Sequence, residues 1–366
     1  MKLVITVPWG ERFGGAEQML LTFLRHVDPG RVQPLVAFHV SGPLVDEVRR
    51  LGVRTALLPA FRLRNPFQLA RTITGLAGLL RAERPDLVLA WTTKTQLTSA
   101  LAVLGSGLAC RVAWWQQGNA SGALLDRVAT VLPARAVICY STFSAASQSS
   151  LRPRRRTLVV NPGAEEPTGR PLGRAELGIP ESSFVIGIVA RLHPMKRQDL
   201  VLRAVRMLLD RGIDAHGLVV GGVAHGQAKR FAAELAELAR DLRIEHAVTF
   251  TGQLADATEA LPAMDVLVNV SHEEPFGIGL LEAMAAGIPV VACAHSGSAE
   301  AVEDVGILLE RVGADSLTVA LETLAGDEAR RQDLALRGRL RYESRFTAAA
   351  AALRVQDAVE EIARLG

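Results

Sequence analysis

The chain has 366 residues, which is too long for one ordinary compact core and suits two domains. Its 49% hydrophobic and 22% charged residues exclude a disordered or fibrous protein, and a net charge of +3 gives little reason to expect nucleic-acid binding. The three cysteines show no C-x-x-C spacing and no uncharged stretch reaches the roughly 20 apolar residues of a membrane span, so we expect a cytoplasmic protein without disulfides or structural zinc.

Short apolar runs alternate with amphipathic segments along the first half of the chain. This rhythm predicts βαβ units around a parallel sheet. The predicted strands are Leu3–Val7, Leu35–Val40, Leu87–Trp91, Val112–Gln116, Ala136–Tyr140 and Leu158–Val160. The predicted helices between them are Ala16–His26, Pro66–Arg81 and Leu124–Leu132.

The rhythm breaks at Asn161–Ser183, a segment rich in proline, glycine and charge that we interpret as a domain linker. It then resumes, which predicts a second doubly wound α/β domain. The predicted strands are Phe184–Ala190, Leu218–Gly221, Val248–Thr251, Val266–Val270 and Pro289–Ala292, with helices at Gln198–Asp210 and Lys229–Leu242 and a helical region after Gly313. We place the domains at 1–165 and 166–346, with a final helix at 347–366.

The segment EEPFGIGLLEA, Glu273–Ala283, follows a predicted strand and opens a predicted helix. Gly277 and Gly279 would let the backbone approach an anion at the helix N-terminus, where unpaired N–H groups and the helix dipole favour negative charge. Glu274 would project from the loop, and Glu282 could bind a ribose hydroxyl. The alternative is a plain strand-to-helix turn with two solvated glutamates. A dinucleotide fingerprint fits poorly, because Glu282 stands where close packing needs glycine or alanine.

Two further segments follow predicted strands. In ARLHPMKRQDL, Arg191 and Lys196 could both contact phosphate, although a solvated basic turn is the alternative. Because this segment and the glycine-rich turn lie at carboxyl ends of strands in one domain, together they predict a diphosphate site. In GGAEQML, Gly14 and Gly15 begin a helix after the first strand and form a weaker candidate. The sequence contains no D-x-D motif, so we expect cationic side chains to replace a metal ion.

The combined pattern resembles the retaining glycosyltransferases of the GT-B fold, specifically family 4. DVLVNVSHEEPFGIGLLEAMAAGIPVVAC, residues 265–293, is similar to that family's E-x7-E segment, and GGAE, ARLHPMK and VTFTGQLADATEALPAMDVLVNVS add support. The resemblance implies an α/β protein of the GT-B class, with two doubly wound Rossmann-like domains facing across a deep cleft. It also implies that the final helix crosses back to the first domain.

The resemblance implies roles for individual residues. Glu274, Arg191 and Lys196 would be catalytic, the glutamate on the transferred sugar and the two cations on the departing phosphate. The implied donor-binding residues are Gly14, Gly15, Gln117, Gln253, Leu254, Phe276, Gly277, Ile278, Gly279 and Glu282. Gln117 departs from the family pattern, since many members present a histidine there; an amide can hydrogen-bond a sugar hydroxyl but cannot carry a proton at neutral pH.

These inferences predict a retaining, metal-independent glycosyltransferase that moves a sugar from a UDP- or GDP-sugar to an acceptor hydroxyl in glycan, glycolipid or natural-product biosynthesis, without a cofactor. The alternatives are a GT-B nucleotide-sugar epimerase, which would turn over donor alone, and a non-catalytic subunit that binds nucleotide sugars.

Two arginine clusters allow a peripheral contact with an anionic membrane on its inner face. They are LRPRRRT, Leu151–Thr157, and FRLRN, Phe61–Asn65. The competing interpretation is a solvated basic surface in an arginine-rich protein.

Overall fold

A computed structural model describes residues 1–11, 14–108, 111–223 and 227–365. Cys110, one of the cysteines considered above, lies outside the described residues, while Cys139 and Cys293 are buried free thiols. The chain divides into two compact units. The first consists of Met1–Gly163 together with Ala348–Gly366, and the second of Ala164–Thr347. Among the described helices, none combines the length and the apolar character needed to cross a membrane.

The strands lie where apolar runs occur in the sequence. They are β1 (Lys2–Val7), β2 (Gln33–Phe38), β3 (Arg54–Leu57), β4 (Leu87–Ala90), β5 (Arg111–Gln116), β6 (Ala136–Cys139), β7 (Thr157–Val159), β8 (Phe184–Val189), β9 (Ala215–Val220), β10 (Val248–Gly252), β11 (Val266–Asn269), β12 (Val290–Cys293) and β13 (Ile307–Leu309).

The helices alternate with these strands until the last part of the chain. They are α1 (Gly15–His26), α2 (Pro43–Arg50), α3 (Pro66–Glu83), α4 (Thr93–Ser106), α5 (Leu124–Val131), α6 (Thr142–Ser149), α7 (Gln198–Asp210), α8 (Gln227–Asp241), α9 (Ile278–Ala285), α10 (Ser298–Val302), α11 (Ala314–Gly326), α12 (Glu328–Arg345) and α13 (Ala348–Arg364).

Each unit contains one parallel sheet. The order is β3-β2-β1-β4-β5-β6-β7 in the first unit and β10-β9-β8-β11-β12-β13 in the second. In each sheet the first three strands are added in one direction from the starting strand, β1 or β8. The later strands are added on the other side of that starting strand. The order therefore reverses between β1 and β4 and between β8 and β11, and such a switch point is where open α/β sheets bind ligands.

The central strands are buried on both faces, as expected for parallel strands covered by helices. In the second unit the core packs Ile186, Ile188 and Val219 of the sheet against Val201 and Val205 of α7. Every predicted strand is present, with ends shifted by at most three residues. The two strands absent from the prediction, β3 and β13, are short and partly exposed.

Most of the segment interpreted as a linker lies within the second unit, whose first residue is Ala164. Arg174 fixes this segment because its guanidinium donates to Asp265 Oδ2 at 2.8 Å and to the carbonyl oxygens of Ala263 and Ser183. Ile179 from the same segment is buried. Its proline and glycine content therefore marks an irregular but packed segment rather than a free connection.

The last helix, α13, packs against α1 in the first unit. Gln356 is buried there and accepts a hydrogen bond from the backbone N–H of Asp28 at 2.9 Å. Arg31 pairs with Asp357 at 2.8 Å and with Glu360 at 2.9 Å. The first unit is thus assembled from the beginning of the chain and from its last helix.

Candidate functional site

Two loops meet at the switch point of the second unit. One follows β8 and contains a short 3-10 helix, Pro194–Lys196, before α7 begins. The other follows β11 and ends at Gly277, where α9 begins. Because β8 and β11 are adjacent parallel strands, both loops leave the same edge of the sheet. Strand order thus brings together two segments far apart in sequence.

An ion pair connects these loops. Lys196 Nζ lies 2.7 Å from Glu274 Oε2, and Asn269 Nδ2 approaches the same oxygen at 3.4 Å. The Lys196 side chain is 24% exposed and that of Glu274 only 9%. Asn269 in turn is oriented by the backbone N–H of Ser271, which donates to its Oδ1 at 3.2 Å. The pair is therefore largely buried among polar groups, and Lys196 is the more solvent-accessible partner.

Burial would raise the pKa of Glu274, since desolvation penalises the charged form. The charge of Lys196 and its hydrogen bond, with hydrogen bonds from Ser271 and Asn269, outweigh burial and lower that pKa below its ordinary value of 4.5. Glu274 is therefore a carboxylate at neutral pH. An ionised carboxylate accepts hydrogen bonds only, which suits contact with hydroxyl groups.

Backbone hydrogen bonds fix the loops to each other. The N–H of His272 donates to the Met195 carbonyl oxygen at 2.8 Å. His193 caps the 3-10 helix, because its Nδ1 accepts from the Met195 N–H at 3.2 Å. Burial, and then the charges of Arg191 and Lys196, lower the pKa of His193, which favours the neutral form that this cap requires. Hydrogen bonds from both loops thus fix the backbone at Met195, the residue next to Lys196.

Glycine is required at the start of α9. Gly277 has φ +96°, a left-handed conformation that strains other residues, and it caps the helix. A Cβ at Gly279 would touch the Val189 carbonyl oxygen at 3.5 Å, so this turn lies against the end of β8. The N–H groups of a first helical turn have no partner within the helix and favour an anion. The turn therefore suits an anion, and the diphosphate site stays a prediction.

The other predicted residues of this unit lie at the same edge of the sheet. Arg191 is exposed just after β8, and its carbonyl oxygen accepts from Gln198 Nε2 at 3.1 Å. Glu282 is half-buried on α9. Gln253 and Leu254 follow β10, two strands from the switch point, and Gln253 is exposed.

Phe276 differs from the rest of the predicted set. Its side chain is buried and packs edge-on against Phe346 with ring centroids 5.6 Å apart. Only its backbone is placed to contact a ligand, whereas Ile278, the first residue of α9, is half-buried.

Three predicted residues belong to the first unit. Gly14 and Gly15 begin α1 after β1, and the Gly14 N–H donates to Glu17 Oε2 at 2.8 Å. A Cβ at Gly14 would meet open space, so no steric demand for glycine exists there. Gln117 follows β5, and its Oε1 accepts from the hydroxyl of Tyr140. All three lie at the carboxyl edge of the first sheet.

Sequence reasoning missed two glycines that shape the site. A Cβ at Gly297 would lie 1.9 Å from the Pro275 carbonyl oxygen, and its N–H donates to the Glu274 carbonyl at 2.8 Å. A Cβ at Gly221, where φ is +147°, would lie 2.0 Å from the Ala190 carbonyl oxygen. The Gly-Gly pair after β9 was a visible signal for the second. No such signal existed for Gly297, because Pro275, the residue that it contacts, is distant in sequence.

Residues 170–341 match the family of glycosyl transferases group 1. A D-inositol 3-phosphate glycosyltransferase of Stackebrandtia nassauensis is 36% identical over 197 residues, which are 51% of this chain and 44% of the relative. The corresponding protein of Kineococcus radiotolerans is 34% identical over 209 residues, 51% of this chain and 48% of the relative. The matched regions thus span about half the length of each partner.

The whole described fold resembles solved structures at lower identity. HepE of Anabaena in complex with UDP and glucose superposes with a TM-score of 0.87 at 23% identity, covering 98% of this chain and 99% of that one. A sucrose-phosphate synthase of Thermosynechococcus elongatus gives 0.81 at 18% identity, covering 99% and 98%. These likenesses confirm the predicted GT-B class, with two Rossmann-like parallel-sheet domains. The second unit, which contains the Lys196–Glu274 pair, matches the glycosyl transferases group 1 family over nearly its whole length.

Proposed function

We propose that this protein is a retaining glycosyltransferase of family 4 that transfers a sugar from a UDP- or GDP-sugar to an acceptor hydroxyl without a metal ion. The observation that carries the proposal is the Lys196–Glu274 pair beside the N-terminus of α9 at the switch point. The names of the relatives and the UDP and glucose bound to HepE support the same class of donor. The proposed acceptors are glycans, glycolipids and natural products.

In the proposed reaction the bond between the anomeric carbon and the diphosphate oxygen breaks as a bond to the acceptor oxygen forms. The acceptor proton goes to the departing phosphate oxygen, since that oxygen gains negative charge. Lys196 has three N–H donors, so it can keep its hydrogen bond to Glu274 and still donate to phosphate. Arg191 adds a second cation, and the first turn of α9 adds backbone donors.

The remaining roles follow from position. Glu274 accepts hydrogen bonds from hydroxyls of the transferred sugar, and Glu282 binds the ribose. The main chain at Gln253 and Leu254 contacts the base. Gly14, Gly15 and Gln117 provide donor contacts from the first unit. The protein acts on the cytoplasmic side, with a peripheral contact to the anionic inner face of the membrane.

Thermal denaturation with a panel of nucleotides tests the donor site directly. We expect UDP, GDP or their sugars, but not ATP or NAD, to raise the melting temperature, since a ligand at 100 times its Kd stabilises a protein by about 2.7 kcal/mol. Glu274→Gln should retain the shift while losing transfer. If no nucleoside diphosphate raises the melting temperature, the proposal is wrong. Turnover of donor without acceptor to an epimerised product would instead identify an epimerase.

Arg191→Ala should reduce turnover by about 100-fold while raising the donor Kd only a few fold, because charge on the leaving phosphate is greatest in the transition state. Arg203→Ala, at an exposed arginine of α7, is the matched control and should leave both quantities unchanged. Initial rates and nucleotide titrations measure them. An Arg191→Ala enzyme with wild-type turnover would remove this residue from the mechanism.

A further inference from the structure

One face of helix α5 exposes three large apolar side chains. Leu124, Val128 and Val131 are 78%, 40% and 62% exposed, and their spacing of four and three residues places them on one face. Asp126 and Thr130 on the opposite face are buried. A helix that covers a core normally keeps its large apolar side chains on the buried face, whereas of its apolar residues α5 buries only the small Ala129 completely. This exposed face, with Leu104 of α4, is called the α5 face below.

Hydrogen bonds fix the orientation of α5. Asp126 Oδ2 accepts from both the N–H and the hydroxyl of Ser121, each at 2.9 Å. The Thr130 hydroxyl donates to the Asp126 carbonyl at 2.7 Å and accepts from Gln148 Nε2 at 3.2 Å. Rolling the helix to bury its apolar side would break these hydrogen bonds. Buried polar groups that lose their partners lower the stability of the fold. The outward apolar side is therefore a stable feature of the fold.

An apolar groove of about 450 Å³ lies on the first unit at the end of α4. Val103, Leu104, Leu108 and Pro133 line it, and Leu104 is 61% exposed. Pro133 lies just after α5, and Arg155 both lines the groove and donates to carbonyl oxygens at the end of α5, so the groove lies beside that end of the helix.

The charges around this region are positive. Arg111, Arg135 and Arg155 line the groove, and Arg127 on α5 is exposed. The guanidinium of Arg155 donates to the carbonyl oxygens of Thr130 at 2.9 Å and Leu132 at 3.0 Å, so it closes the end of α5. The one acid of α5, Asp126, faces inward.

We propose that the α5 face docks on an anionic lipid surface. The apolar side chains enter the boundary between head groups and acyl chains, the groove accepts part of one chain, and the arginines contact lipid phosphates. This surface gives a location to the peripheral membrane contact proposed above. It rests on that proposed contact but needs no transferase activity, so its failure would leave the proposed sugar transfer standing.

Of the two clusters found in the sequence, Leu151–Thr157 contributes Arg155 to this region, but its other arginines and the cluster Phe61–Asn65 lie outside the groove. Arg156 pairs with Glu361, and Arg152 donates to carbonyl oxygens at the end of α6. Phe61 is buried against His39 and beneath the Lys94 ammonium, so it cannot insert into lipid. Leu63 is 42% exposed in that cluster, whereas the α5 face joins three exposed apolar side chains to a groove lined by arginines.

Flotation of the full chain with lipid vesicles tests the proposal. We expect binding to phosphatidylcholine vesicles containing phosphatidylglycerol, weak binding to phosphatidylcholine alone, and release by salt, which screens surface charge. The combined change Leu124→Ser, Val128→Ser and Val131→Ser should lower vesicle affinity at least tenfold, about the loss expected for the apolar contacts. Arg127→Glu should lower it roughly fivefold or more.

Leu336→Ser with Leu340→Ser, two exposed leucines of α12, is the matched control and should bind as the wild type does. Unchanged melting temperatures would show that the variants fold. The proposal is overturned if the wild type does not float with anionic vesicles, or if the α5 variants float as well as it does. It is also overturned if light scattering shows a dimer that the α5 variants abolish while flotation is absent, because the occupant would then be a second copy of the chain.

Discussion

Lys196→Met is expected to abolish measurable transfer and to destabilise the second unit by about 3 kcal/mol, because it leaves the buried Glu274 carboxylate without its counter-charge. The change keeps the length of the side chain and removes only the ammonium. Activity falls for two reasons: the cation facing the leaving phosphate is gone, and Glu274 loses the partner that holds it ionised. Chemical denaturation and initial-rate measurements give the two effects separately.

The double variant Lys196→Met with Glu274→Gln distinguishes stability from catalysis. A neutral amide tolerates the loss of the ammonium, so we expect most of the lost free energy of unfolding to return, with a coupling of about 1–3 kcal/mol between the two positions. Transfer should stay absent, since neither cation nor carboxylate remains. Recovery of transfer in the double variant would contradict the proposed roles, and purely additive losses of stability would contradict the coupling.

The pH dependence of stability should change sign at this site. In the wild type the lowered pKa of Glu274 gives a stabilisation that is complete well above the ordinary value of 4.5 and is lost as pH falls from there through the folded-state pKa. In Lys196→Met the effect of burial prevails and raises that pKa above 4.5. The folded variant then holds a proton that the unfolded chain has lost, so its stability falls as pH rises through that range.

Gly297→Ala should reduce transfer by about 100-fold or more, although Gly297 contacts no substrate in the proposed mechanism. Its backbone φ of −61° is compatible with alanine, so the effect is purely steric. The new Cβ would lie 1.9 Å from the Pro275 carbonyl oxygen and 2.9 Å from that of Glu274. The loop that presents Glu274 must therefore move, and a displacement of about 1 Å can cost 100-fold in rate.

Gly313→Ala is the control for this substitution. It lies in the same unit at the start of α11, and the nearest atom to its Cβ would be Ser316 Oγ at 3.9 Å. We expect it to leave rate and stability near wild type, whereas Gly297→Ala should also lose about 1–3 kcal/mol of stability from overpacking. Equal activities of the two variants would show that the loop can yield without moving Glu274.

The sequence predicts the central strands well because buried parallel strands are continuous apolar runs, as in FVIGIV of β8. The edge strand β3, RTAL, lacks such a run, and its burial depends on its neighbour. Helix α4 was also missed. Its sequence, TKTQLTSALAVLGS, buries threonine, serine and glutamine on its inner side, so hydrophobic periodicity gives no signal.

The site was predictable in part for a similar reason. Lys196 and Glu274 each follow an apolar strand, which places both at the carboxyl edge of one sheet. Their contact depends on β8 and β11 being neighbours, and that adjacency is set by the order of the whole sheet. The requirement for glycine at position 297 arises only when α10 packs against the Glu274 loop. The exposed apolar face of α5 was likewise invisible, because periodicity indicates that a helix has two sides but not which one faces the core.

The placement of α13 in the first unit has a consequence for synthesis. The ribosome delivers the β1–β7 segment early, yet α1 receives its covering helix, with Gln356 for the Asp28 N–H, only after the entire second unit has been made. Domains usually mature in the order of their translation. Here the domain that begins first is completed last, so a nascent chain carries an uncovered α1 for as long as the second domain takes to emerge.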